Sequence, residues 1–200
     1  LEEQIQAAVI QGEAALYCQN YEQAIDIFQD AATKLEEPAT RNREINKLMK
    51  EAEQIKDDPD REDECDEILT KVMGLSNQGH MPPGEHVAML LKLGQSQRLA
   101  KDWEKSKATY QDIAMKYMED DLMTPQQQRE TFTSMSECAF QLGRFDIAVS
   151  IGEGAIEMNR FFPWSHKFVA LAKKAEGDLE GAQQAAAEAV VYEAPWDDKH

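Results

Sequence analysis

Glycine and proline are scarce in this chain, at 10 and 7 of 200 residues. No apolar run reaches the roughly 18 residues that a membrane-crossing helix needs. Nowhere do β-branched residues alternate with polar ones over the length of a strand. These absences exclude a spanning helix and a sheet. The chain is instead rich in Ala, Glu, Gln, Lys, Leu and Met, which are helix formers, so it reads as all-α. Its 42% hydrophobic and 30% charged residues suit a soluble folded protein.

Cations are also in short supply. Lys and Arg number 21 against 38 acids, a formal charge of −17. That balance argues against a nucleic-acid surface, which must displace counterions with positive charge, and against anionic membranes. It permits basic partners and favours solubility. The excess is uneven: residues 1–37 hold eight acids and one base, whereas 86–123 hold six of each. The three cysteines, Cys18, Cys65 and Cys138, are odd in number and lack metal-type spacing. They read as reduced thiols of an intracellular, cytoplasmic protein. No secretory signal is present, and the chain opens inside a helical pattern at Leu1, as expected of a segment of a longer protein.

Catalytic signatures are missing too: there is no HExxH, glycine-rich phosphate loop or GxSxG. His80 and His86 share a Pro/Gly loop without further ligands, so no metal or other cofactor is expected. The acidic run "DDPDREDECDE" lacks the alternating ligands, central glycine and distal glutamate of a calcium loop.

What is present is a phrase written four times: "NYEQAIDIFQDAA", "DWEKSKATYQDI", "RFDIAVSIGEGAI" and "DLEGAQQAAAEAV". Each centres on a small residue: Ala24, Ser106, Ala148 or Ala182. Three before it stands Tyr21, Trp103, Phe145 or Leu179. Four after it stands Phe28, Tyr110, Gly152 or Ala186, and seven after it Ala31, Ile113, Ala155 or Ala189. These spacings share one helical stripe. Twelve residues upstream lie Gly12, Gly94, Ser136 and Ala170, each within a second amphipathic pattern. Turns are expected at Gln19-Asn20, Lys101-Asp102, Gly143 and Gly177-Asp178. The glycines suit a left-handed helix stop, and Asn20, Asp102 and Asp178 suit caps. The unit is thus helix, tight turn, helix, and such units must stack to bury their apolar faces.

This pattern resembles the tetratricopeptide repeat, whose period is about 34 residues. "GEAALYCQNYEQAIDIFQDA" and "LKLGQSQRLAKDWEKSKATY" are the nearest to it, and Ala148 and Ala182 are 34 residues apart. Pro38, Pro163 and Pro195 are rough counterparts of the proline after the second helix. Gly152 and Ser106 depart from the pattern. The resemblance implies one domain over 1–200: a right-handed α-solenoid of stacked antiparallel pairs, about ten helices in all. Repeats are expected at 5–37, 87–119, 129–161 and 163–195. Between the first two, a divergent helical pair with an acidic turn near Pro59 is expected over 39–75, then a loop over 76–86. "RFFPW" at 160–164 is expected to pack between repeats, with an exposed binding anchor as the alternative, and Trp196 to cap the last helix or to belong to a further domain.

In the family that this pattern resembles, the concave face, lined mostly by first helices, carries function. Periodicity places there Leu91, Gln95 and Arg98, then Glu130, Thr133, Glu137 and Gln141, then Trp164, Lys167, Leu171 and Lys174. Arg98, Lys167 and Lys174 are the candidate anchors for an acidic group. The family's clamp for chaperone tails is absent: its places hold Val9 and Glu13, Leu91 and Gln95, Thr133 and Glu137. The expected function is non-catalytic binding of a peptide or helix of another protein, with no nucleic acid or membrane partner. The alternatives are a scaffold subunit held by its loops, edges and ends, and a helical regulator or enzyme with an unrecognised site.

Overall fold

Every regular element in the computed structural model is a helix; it describes residues 2–56, 58, 61–78, 84–118 and 122–193. Nine helices occur among these residues: α1 (Glu2–Tyr17), α2 (Tyr21–Ile55), α3 (Glu62–Ser76), α4 (Glu85–Leu99), α5 (Trp103–Tyr117), α6 (Pro125–Gln141), α7 (Phe145–Met158), α8 (Pro163–Glu176) and α9 (Leu179–Glu193). The calls at Pro59, His80, Pro195, Trp196 and His200 lie outside the described residues.

The four expected turns share one geometry. Gln19, Lys101, Gly143 and Gly177 all adopt positive φ, at 57°, 62°, 72° and 90°. The next residue's amide then reaches back five positions: Asn20 to Ala15, Asp102 to Gln97, Arg144 to Ala139 and Asp178 to Lys173, each at 2.9 Å. These bonds satisfy carbonyls that the ending helix would orphan. Asn20 and Asp102 then cap α2 and α5 by accepting from the Gln23 and Lys105 amides, and Asp178 accepts from Gly181 at 2.9 Å.

The twelve-residue register is a physical contact. Ser106 Oγ donates to the Gly94 carbonyl at 2.9 Å, and Ser136 Oγ to the Ala148 carbonyl at 2.7 Å. A Cβ on Gly94 would stand 2.9 Å from the Tyr110 ring, so the aromatic four places after the small residue fills the space that the first helix leaves open. Gly152, the departure in the third pair, has the same cause from the other side: a Cβ there would meet Val169 Cγ2 at 2.5 Å. The other departure, Ser106, is also bonded to the Cys138 thiol at 3.4 Å.

The pairs α1–α2, α4–α5, α6–α7 and α8–α9 stack in series, and α2 packs directly on α4. The first helices α4, α6 and α8 also touch one another, so they share one face of the stack. The core runs through Phe28, Leu35, Val87, Tyr110 and Ile113, all buried. Burying each such side chain contributes roughly 1.5–3 kcal/mol.

The expected break between the first repeat and the divergent pair is absent. α2 continues for 35 residues straight through Pro38. Proline there removes one backbone hydrogen bond, but Leu35 and Ala39 on either side are buried, and that packing holds the helix together. The far half of α2 and α3 therefore form a hairpin arm, tied by Lys71 to Glu44 at 3.0 Å. α3 packs mainly on α2. α6 also starts earlier than expected, because Thr124 and Gln127 form a capping box with Pro125 in the first turn.

Candidate functional site

The shared face of α4, α6 and α8 holds a cleft of about 310 Å³. Five of the eleven sequence-predicted residues meet there: Arg98 from α4, Glu130, Thr133 and Glu137 from α6, and Trp164 from α8. Phe162, Phe168 and Ser134 complete its walls, and periodicity had not singled these out. Phe168 was legible as the residue one helical turn after Trp164. Phe162 was not, because it precedes the helix and no period governs it.

The cleft floor is an ion pair. Arg98 Nη1 donates to Glu137 Oε2 at 2.5 Å, with both side chains largely buried. Burial works against the Arg98 charge, but Glu137 outweighs it and holds the guanidinium above its ordinary value. Arg98 Nε is buried and has no hydrogen-bond partner. Arg98, a candidate anchor for an acidic group, is thus paired with an acid of its own chain. Glu130 lies beside it without an ion-pair partner among the described residues.

The rim is aromatic and cationic. Lys167 Nζ lies 4.3 Å from the Trp164 ring centroid, and the Arg129 guanidinium lies 4.6 Å from that of Phe162. Such stacking favours a cation over the ring face. Trp164 is 47% exposed and Phe161 61%. The expectation that "RFFPW" packs between repeats therefore needs correcting. Phe161 meets the Tyr192 ring at 5.4 Å and the Arg160 guanidinium at 5.0 Å, and Phe162 and Trp164 turn toward the cleft.

The other predicted groove residues are not gathered there. Leu91 is buried in the core, because α4 lies between α2, α5 and α6 and buries most of its circumference. Gln95 is half-buried on α4. Within the cleft itself, Thr133 is the buried member, with its hydroxyl 2.8 Å from that of Ser165. Gln141, Leu171 and Lys174 are exposed.

A second cleft, of about 380 Å³, lies between α1 and α4. Ile5, Val9 and Ile10 face Ala88, Met89 and Glu85 across it. Of these only Val9 lay on a position that the sequence register marked.

Among the described residues, no group of three His, Cys, Asp or Glu side chains is placed to hold a metal. His86 is buried against the Tyr117 hydroxyl. His166 is buried with Nε2 at 2.6 Å from the Arg160 carbonyl and Nδ1 at 3.2 Å from Glu188. Among the described residues, no helix is long and apolar enough to cross a membrane.

No family model and no curated protein matches the chain. Among solved structures it is similar to a crystal structure of MamA protein, at 14% identity over 96% of this chain and 93% of that one, with a TM-score of 0.46. A second crystal structure of MamA matches at 15% identity over 91% and 94%, with a TM-score of 0.46. Pseudomonas aeruginosa pilF matches at 17% identity over 97% of this chain and 78% of that one, with a TM-score of 0.47. The fold is a tetratricopeptide-like array of helix pairs. Its own register and turns carry that description.

Proposed function

We propose that this chain is a non-catalytic protein-interaction module whose first-helix face takes a peptide or helix of a partner protein. The observation that carries the reading is the cleft at Arg98, Glu137 and Trp164. It has a polar floor and aromatic walls, of which Trp164 is exposed, the arrangement that gives interfaces a desolvated anchor and orienting hydrogen bonds. Arg98 Nε, which has no acceptor, offers a donor to an incoming carbonyl or carboxylate.

Trp164→Ala combined with Lys167→Glu tests the reading without touching the core, since both side chains are exposed. Arg98→Glu is a poorer choice, because it sets two buried acids against each other. A partner retained from native cell extract, then purified and titrated by calorimetry, is expected to bind the double variant at least about tenfold more weakly. Unchanged affinity of a correctly folded double variant overturns the reading.

One observation favours a second reading, a scaffold subunit held outside the groove. The arm presents Met49, Leu69 and Met73 to solvent, at 46%, 37% and 67% exposure. Under that reading, polar substitution of Leu69 and Met73 releases the partner and Trp164→Ala does not.

A further inference from the structure

We infer that the cleft between α1 and α4 seats an amphipathic helix of a partner protein, with its apolar ridge flanked by lysine or arginine. This rests on the reading of the first-helix face as a protein-binding surface and gives that surface a ligand chemistry.

The walls come first. Ile5 and Met89 are buried and form the floor, while half-buried Val9 and exposed Ile10 on α1 face half-buried Ala88 on α4. Ile10 is 69% exposed, although isoleucine is among the residues most often buried. An apolar cleft of this kind between two helices accepts one helical ridge with residues spaced three and four apart.

Charge then selects among helices. Glu85 is the charged residue in the cleft, and one of its carboxylate oxygens is buried without a hydrogen-bond partner. An acceptor left so gains from a cationic donor. No described residue supplies that donor. α1 contains no lysine or arginine. The two bases of α4 are engaged elsewhere, Lys92 with Glu13 and Arg98 with Glu137, each at 2.5 Å. The net charge of −17 disfavours an acidic segment and, equally, a second copy of this chain. The donor therefore arrives with a basic partner.

The test selects a phage-displayed random peptide library on the full 200-residue chain and measures the synthesised winners by fluorescence anisotropy. They are expected to carry apolar residues three or four apart with flanking Lys or Arg. Ile10→Asp, at a side chain exposed enough to leave the fold intact by circular dichroism, is expected to weaken them about tenfold or more. Glu85→Gln keeps the shape and is expected to cost about threefold to tenfold and to flatten the salt dependence. Leu179→Ser on α9 serves as the unaffected control. Winners without a basic excess, or winners indifferent to Ile10→Asp, overturn the inference. Loss on Trp164→Ala alone overturns it while leaving the concave-face reading standing. Absence of any winner removes both. Self-association of the chain in sedimentation, abolished by Ile10→Asp, overturns it by making a second copy the occupant.

Discussion

His86 shows how much one side chain can report. It is buried at the start of α4 with its Nδ1 on the Tyr117 hydroxyl. Burial, helped by the Lys116 charge, holds its imidazole below the ordinary value. The folded chain therefore takes up this proton less readily than the unfolded chain does. His86 costs no stability above an unfolded value of about 6.5 and destabilises progressively as pH falls below it. The melting temperature is expected to drop between about pH 7 and 5, and His86→Gln is expected to remove part of that slope. An equal slope in the variant would place the acid sensitivity elsewhere. At this scale the repeat contacts were legible in advance. A small residue twelve places from another is where two backbones touch, and Ser106 with Gly94 and Ser136 with Ala148 do touch. The Glu85 cleft was not legible, because its walls lie some 80 residues apart and face each other only after stacking.

Among the elements, α2 is the one whose extent departs furthest from sequence expectation. Pro38 looked like a stop, since proline forfeits a hydrogen bond and clashes with the preceding turn. The helix runs through it because Leu35 and Ala39 are anchored in the core on both sides. Pro38→Ala restores the bond to the Lys34 carbonyl. It is expected to stabilise the chain by about 1–2 kcal/mol, the helix-interior penalty of proline less the entropy that proline removes from the unfolded state. Urea unfolding measures it, and a loss of stability would mean that α2 needs the distortion proline imposes. The tight turns were legible in place, and in hand at Gly143 and Gly177. Gln19 and Lys101 fill the left-handed position without being glycine, since the five-position bond that follows fixes the backbone there.

Across the whole molecule, stability is distributed unevenly along the series. α4 and α5 are flanked on both sides, whereas α3 rests on α2 and buries none of its described side chains fully. Amide exchange is expected to be fastest in α3, and slowest in α4 and α5, because local opening follows the number of packed neighbours. Uniform exchange through α3 and α5 would instead show that the arm and the stack open as one unit. The stacked pairs were legible because their period is written in the sequence. The merging of the first repeat with the arm was not, since it depends on which side of α2 the rest of the chain occupies.

The arm leaves the stack along α2, and the chain rejoins the stack at α4, against α2 itself. Its entry and exit are thus neighbours, and the order of the pairs takes no notice of what lies between them. A hairpin of different length grafted between residues 44 and 84, leaving Arg43 on the Lys116 carbonyl and the Tyr117 ring, would shift neither the register nor the two clefts. The connection is a port in the scaffold: evolution or an engineer can exchange the cargo carried there while the machine beside it keeps running.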